Sequence, residues 1–323
     1  MPERYLESMM EASLSILASG LNGSFPTKEK PIDSPWPRFS GGLSLCLANG
    51  QGWNILFTEE TKSLAEKWAS IMEMKENGSR GFPQMILVRK NEEIPIPGFP
   101  REGWKFQNLK RMTLWSNQRL PHVICEIGPE DHFDLDIIRI WMATYPIYQR
   151  AMKKGGLPFH ACLAGREGAG VLLAAPGGGG KSTCARRLPP PWKVLCDDET
   201  LIVRDSRGRY FVHPFPTWSN FFWRREERTW DVQKPLPLLA IFFIKKGKRG
   251  EVISMGKGEA AARMYQAAQQ VCLRNWRYFS AEDERGEKEK LFANSCQLAK
   301  KIPAFTLQVS LQGEFWKEVE KVI

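Results

Sequence analysis

AGVLLAAPGGGGKST (residues 169–183), followed at 195–199 by LCDDE, is the stretch on which the reading of this chain turns. Ala169 to Ala175 is short and apolar, the composition of a buried strand. It runs directly into Pro176, four glycines at 177–180, then Lys181, Ser182 and Thr183. Strand, glycine-rich loop and Lys-Ser/Thr opening a helix is the order of a phosphate-binding loop. Glycines let the backbone curl so that amide N–H groups converge on phosphate oxygens, and the helix N-terminus adds partial positive charge. Lys181 supplies a cation for terminal phosphates, and the Ser182 hydroxyl is the expected Mg²⁺ ligand. One position departs from the pattern G-x-x-x-x-G-K-[ST]: Ala175 stands where the first glycine belongs.

The helix after the loop is expected to be short, because Cys184–Leu188 meets three prolines at 189–191. Trp192–Cys196 then reads as a strand ending in Asp197 and Asp198. Two adjacent carboxylates at a strand end beside a phosphate loop can hold Mg²⁺ and can take a proton from an attacking hydroxyl. A solvated acidic turn is the plainer alternative. The apolar strand and the interval of sixteen residues from Lys181 to Asp197 favour the site.

Further on, a hairpin is expected from Arg204 to Arg209, turning at Ser206-Arg207-Gly208. HPFPTWS (213–219) follows, with Arg224, Arg225 and Arg228 close behind. It is read either as the lining of a substrate groove or as a loop with solvated arginines. Leu238–Ile244 is a continuous apolar strand suited to a sheet covered on both faces. Residues 258–273 and 281–301 are helical in composition, Phe305–Ser310 is a late strand, and Trp316 and Val319 suit a closing helix. Arg274, Trp276 and Arg277 read as packing and surface.

The first half reads as a smaller α/β unit. Leu43–Ala48 and Trp53–Phe57 flank Asn49-Gly50-Gln51-Gly52 as a hairpin. After Thr58, a candidate N-cap, Leu64, Trp68, Ile71 and Met72 recur at helical spacing up to Asn77-Gly78. A strand at Met85–Val88, a proline-rich loop at 94–100 and a strand at His122–Ile127 follow. A helix from Asp131 to Lys154 is expected to kink or end at Pro146, and Gly155-Gly156 marks a boundary. The chain is thus divided into an N-terminal α/β module, residues 1–154, and a phosphate-loop domain, residues 155–323. Its fold class is α/β (α+β).

Composition narrows the function. The 323 residues are 42% hydrophobic and 25% charged, which is globular and not disordered. The apolar run at 238–244 is far short of the roughly 20 residues of a membrane helix, so no membrane association is expected. Near the N-terminus, Glu3, Glu7 and Glu11 stand where a secretory signal would be basic. That stretch reads instead as a short amphipathic helix carrying Leu6, Met10, Leu14 and Leu17, stopped at Gly20. A cytoplasmic location is expected, with seven reduced cysteines, none in C-x-x-C spacing, acting as small buried apolar side chains.

The formal charge is +10. Residues 1–150 hold 17 basic and 18 acidic side chains, whereas residues 151–323 hold 29 and 18. The excess is densest between 201 and 250, with 11 against 4. Such a field suits a polyanion. No nucleic-acid recognition motif accompanies it, so nucleotide phosphates or an acidic peptide are the expected partners and nucleic acid is not.

His160 within GGLPFHACLAG (155–165), the loop at 175–183 and LCDDE together resemble the kinase domain of the HPr kinase/phosphorylase family, whose core is phosphoenolpyruvate-carboxykinase-like. More narrowly, these phrases and HPFPTWS resemble the C proteins of SynChlorMet cassettes, gene groups that make a modified peptide beside radical SAM proteins and a PqqD-like protein. The resemblance implies ATP and Mg²⁺ as cofactors, with Gly177, Gly178, Gly179, Gly180, Lys181, Ser182 and Thr183 binding phosphate. It makes Asp197, Asp198 and His160 the catalytic set. The two aspartates share the roles of base and metal-site residue in an order left open, Asp198 being grouped with Ser182 at the metal. His160 is expected on a strand just before the loop, where it orients the proton or shares it.

The glycine-rich segment with its Glu and the downstream Arg of bacterial HPr kinases are not found. Phosphorolysis and HPr as substrate are therefore not expected. The implied reaction moves the γ-phosphoryl of ATP to a Ser or Thr hydroxyl of a precursor peptide. The alternatives are a kinase for a small amino-acid hydroxyl and a non-catalytic, nucleotide-responsive scaffold for peptide maturation. The radical SAM enzymes and the PqqD-like protein are the implied partners, and an oligomer is allowed.

Overall fold

The computed structural model describes residues 39–76, 81–90, 103–109, 111–117, 119–128, 133–219, 221 and 228–323. The expected N-terminal amphipathic helix, the Asn77-Gly78 stop, the loop at 94–100, Arg224 and Arg225 lie outside these residues. Residues 37–323 make one compact unit. Helices and strands are mixed throughout, so the α/β class holds. Among the described residues no helix is long and apolar enough to cross a membrane.

A hairpin of β1 (Gly41–Cys46) and β2 (Gly52–Phe57) begins the first sheet, with Gly41 opposite Phe57. The alternating apolar residues Leu43, Leu45, Trp53, Ile55 and Phe57 bury one face. A single 3-10 turn, Glu59–Thr61, leads into α1 (Lys62–Met72), which buries Leu64, Trp68, Ile71 and Met72 at the expected spacing. It ends sooner than its sequence suggests. Glu73 takes a left-handed conformation (φ 46°) and is held from outside, its carboxylate accepting from Thr229 and its carbonyl from Gln233. Tertiary contacts, not a local stop signal, end this helix.

The sheet continues with β3 (Lys75–Glu76), β4 (Gln84–Arg89), β5 (Trp104–Asn108), β6 (Met112–Asn117) and β7 (Val123–Ile127), in the order β3-β1-β2-β4-β7-β6-β5. The β5–β6 hairpin has no counterpart in the sequence reading. Lys105, Gln107 and Asn108 make β5 a polar strand at the sheet margin, without the apolar run that marks central strands. The expected long helix is divided into α2 (Phe133–Ala143) and α3 (Tyr145–Met152), with Pro146 in the first turn of α3, where a missing N–H costs nothing.

The second sheet comprises β8 (Leu157–Phe159), β9 (Ala161–Arg166), β10 (Ala169–Ala174), β11 (Lys193–Cys196), β12 (Glu199–Arg204), β13 (Tyr210–Phe215), β14 (Leu236–Lys246), β15 (Glu251–Ser254) and β16 (Ala304–Val309). The order is β11-β9-β10-β14-β13-β12-β8, with β16 pairing β14 and β15. β10, β14 and β16 are parallel. As expected for parallel strands, both faces are covered. α4 (Lys181–Arg187) and the closing α7 (Phe315–Glu320) pack on Val171, Leu173, Phe242 and Ile244. α5 (Lys257–Trp276) and α6 (Ala281–Lys301) lie over Leu172, Ile241 and Phe243 on the other face.

A segment between β13 and β14 ties the two sheets together. The Trp230 backbone N–H donates to Ile71 O, and the Gln233 side chain accepts from the Cys46 N–H. His213, fully buried on β13, takes the Ala48 N–H on Nε2 at 3.1 Å and donates from Nδ1 to Val232 O at 2.6 Å. The groove lining considered for His213 is therefore not its role. Five of the seven cysteines are buried as expected, but Cys46 is exposed and Cys296 half-buried.

Candidate functional site

Two strands break at the same place, and the site is built on the break. β8 and β9 are one strand interrupted at His160; β11 and β12 are one strand interrupted at Asp197-Asp198. Phe159 lies opposite Thr200 and Leu163 opposite Cys196, so a single register runs through both interruptions. The histidine and the acidic pair, far apart in sequence, are made neighbours by that register. His160 was expected within a strand. It sits instead at the bend, where its backbone N–H leaves the ladder and donates to Ala267 O of α5.

β10 delivers the third component. Ala174 pairs with Ala161, so the chain leaves β10 into the glycine loop immediately beside His160. Gly178 (φ 71°) and Gly180 (φ 104°) occupy left-handed backbone conformations that L side chains rarely adopt. At Gly179 a Cβ would come within 2.6 Å of Ala175 Cβ and 2.9 Å of Pro176 O. The departure at Ala175 is thereby explained: its methyl group occupies the room that Gly179 leaves. Gly177 and Ser182 are exposed, and Thr183 is half-buried one position further along α4.

Lys181 is buried, and its Nζ donates to Ala175 O and to His160 Nε2, each at 2.7 Å. Since an ammonium only donates, Nε2 is the acceptor and the imidazole proton sits on Nδ1. That nitrogen lies 3.4 Å from Asp198 Oδ1. Burial lowers the Lys181 pKa, opposed by Asp198. Burial also lowers that of His160, with Asp198 opposing and Lys181 adding to the effect. The imidazole thus stands between the Lys181 amine on Nε2 and the Asp198 carboxylate near Nδ1.

Asp197 faces elsewhere: its Oδ1 accepts from the Thr217 hydroxyl at 2.5 Å. Glu199, the next acid along, is buried, and burial followed by the nearby Asp198 pushes its pKa up to about 8. Its Oε1 accepts from the Tyr148 hydroxyl of α3 at 3.0 Å. Thr217, Tyr148 and Glu199 were not singled out in the sequence. Thr217 carried a signal in its place within HPFPTWS and Glu199 in its place at the end of LCDDE, whereas Tyr148 carried none. Arg274, expected as surface, is exposed over the Trp141 ring, and its charge acts on both His160 and Glu199.

Mg²⁺ characteristically takes one or two carboxylates and completes its shell with phosphate and water. The Ser182 hydroxyl and the Asp197 and Asp198 carboxylates are hard oxygen donors of that kind. Among the described residues no cluster of three His, Cys, Asp or Glu side chains forms a closed protein cage. The donor set fits a metal that arrives with a phosphate ligand.

A family model described as SynChlorMet cassette protein ScmC matches residues 123–323, from β7 to the end of the chain, and so spans every site residue named above. No curated protein matches the chain.

Proposed function

The chain belongs to the SynChlorMet cassette protein ScmC family, and from that premise we propose that it is an ATP- and Mg²⁺-dependent kinase of the HPr-kinase-like, phosphoenolpyruvate-carboxykinase-like class. Its acceptor is a Ser or Thr hydroxyl on the cassette's precursor peptide. One observation carries the reading. The buried Lys181 at the end of a glycine loop is linked through His160 to an acidic pair at a strand bend, which brings together the loop, the cation and the carboxylates on which phosphoryl transfer draws.

In this reading the backbone of residues 177–183 cradles the β- and γ-phosphates, and Lys181 turns from Ala175 O to the terminal phosphate. Bound Mg²⁺ supplies charge neutralisation on the phosphate oxygens, held by Ser182 and one aspartate. The other aspartate accepts the hydroxyl proton as the acceptor oxygen bonds to the γ-phosphorus and the bond to the β-phosphate oxygen breaks, releasing ADP. Asp198 is the better placed base. The His160 Nδ1–H beside it steadies its carboxylate, leaving Asp197 to the metal.

Co-expression of the precursor peptide followed by mass spectrometry tests the acceptor, with a gain of one phosphate on Ser or Thr expected. Phosphate on a free amino acid instead would assign a small-molecule kinase. Peptide maturation that survives Asp197→Asn and Asp198→Asn would assign a scaffold. Lys181→Ala is expected to weaken ATP–Mg²⁺ binding by more than about tenfold; unchanged affinity removes the phosphate-loop assignment.

A further inference from the structure

The reading above uses the acidic side of the glycine loop and leaves the opposite side unassigned. There β14 runs parallel to β10, with Phe243 paired to Ala174. As the chain leaves β10 into Ala175 and Pro176, β14 continues through Ile244 to Lys245 and Lys246. The loop lies against this strand: a Cβ placed on Gly180 would be 4.0 Å from Ile244 Cγ2. Side chains alternate along a strand, so Lys246 shares the face of Ile244, the face that carries the loop.

Both lysines are exposed, and neither makes an ion pair among the described residues. Their partners across the ladder on β16 are Gln308 and Val309, which are uncharged. Arg249 in the following turn is matched by Glu251, but Lys245 and Lys246 are not matched by any such acid. Lys246 is thus a cation without an ion pair among the described residues, at the C-terminal edge of a parallel strand. That edge is where ligands of open α/β sheets bind.

We infer that Lys246, on the face of β14 that carries the loop, forms a second anion subsite that takes the α-phosphate side of a nucleoside di- or triphosphate. This rests on the kinase reading and gives it a direction. Across the sheet edge the charges run from Asp197-Asp198 at the bend, through His160 and Lys181, over the glycine loop, to Lys246 on β14. A triphosphate laid along that gradient has its γ-phosphate toward the acids and its α-phosphate and ribose toward β14. The acceptor must then approach from the β11–β12 side. Part of the basic excess between residues 201 and 250 thereby gains a specific task.

Calorimetric titration of the full chain with ATP–Mg²⁺ and ADP–Mg²⁺ at two salt concentrations tests this. The variant Lys246→Ala is expected to lose about tenfold in affinity for both nucleotides and to show a shallower salt dependence. Lys248→Ala, in the turn beyond, serves as the control for a general positive field and is expected to change little. The subsite is overturned if Lys246→Ala binds ADP as tightly as wild type, or if Lys248→Ala costs as much. Because both substitutions are exposed, an unchanged melting temperature confirms the fold. Lys181→Ala keeps the two readings apart. Loss of affinity there with an intact Lys246→Ala variant retains the phosphate loop and removes the subsite; unchanged affinity in Lys181→Ala removes the loop and, with it, the subsite that rests on it. A wild-type chain that binds neither nucleotide removes both.

Discussion

The Thr217 hydroxyl donates to Asp197 Oδ1 at 2.5 Å, and this one bond makes two chemically identical neighbours unequal. Asp198 faces the imidazole at the strand bend, whereas Asp197 is held by the segment leaving β13. That segment is itself anchored two ways: His213 joins it to Ala48 of the first hairpin, and the chain beyond it is pinned to Ile71 and Glu73. The carboxylate orientation on which the proposed chemistry depends is therefore set partly by the first sheet.

Thr217→Val keeps the shape of the side chain and removes the donor. ATP–Mg²⁺ turnover is expected to fall about tenfold, with the affinity for nucleotide changed less than threefold, because a misplaced carboxylate harms the reacting geometry more than ground-state binding. Thr217→Ser restores the donor and should recover most of the rate. Equal rates for wild type and Thr217→Val would show that the bond does not position Asp197.

His213 gives a prediction in pH. Burial holds its pKa down to about 4, against an ordinary 6.5. Both ring nitrogens are committed, and protonation would put a proton on the Nε2 that accepts from Ala48. Below pH 6.5 the unfolded chain takes up a proton that the folded chain refuses, so stability falls as the pH drops from about 6.5 toward about 4. The full window is worth about 3 kcal/mol. Urea titrations at pH 7, 5.5 and 4.5 check this. His213→Gln is expected to be less stable at pH 7 and to lose that part of the slope; an unchanged slope would show that His213 does not carry it.

Glu199 should act in the opposite direction. With its pKa raised to about 8, the folded chain keeps a proton that the unfolded chain releases above pH 4.5. Its contribution is therefore present below that value and lost as pH rises through about 8. Glu199→Gln, which keeps an acceptor for Tyr148 and cannot ionise, is expected to be at least as stable as wild type at pH 8 without Mg²⁺. Glu199→Ala leaves the buried Tyr148 hydroxyl without its acceptor and opens a void, at a cost of about 2–4 kcal/mol. Melting temperatures of the two variants at pH 6 and 8 decide the matter, and a Glu199→Gln variant much weaker than wild type at pH 8 would contradict the assignment.

Much of the architecture was legible because its signals are local. The helix carrying Trp68, the division at Pro146, the apolar strand at Leu238–Ile244 and the hairpin at Ser206-Arg207-Gly208 each announce themselves within a dozen residues. The elements that escaped lack such signals. β5 is polar because it lies at the sheet margin, and α1 ends at Glu73 because Thr229 and Gln233 reach it from more than 150 positions away.

The same division runs through the site. The glycine loop stood out from residues 175–183 alone, since the phosphate cradle proposed for it would be a property of consecutive backbone groups and one lysine. The acidic pair could be suspected from its strand and its spacing. That His160 lies between Lys181 and Asp198, that Asp197 belongs to Thr217 and Asp198 to His160, and that Lys246 is on the loop's face of β14 were decided only by strand pairing. Register between strands is a long-range choice, made by the whole buried face of a sheet, and no local spacing encodes which residue will stand across from which.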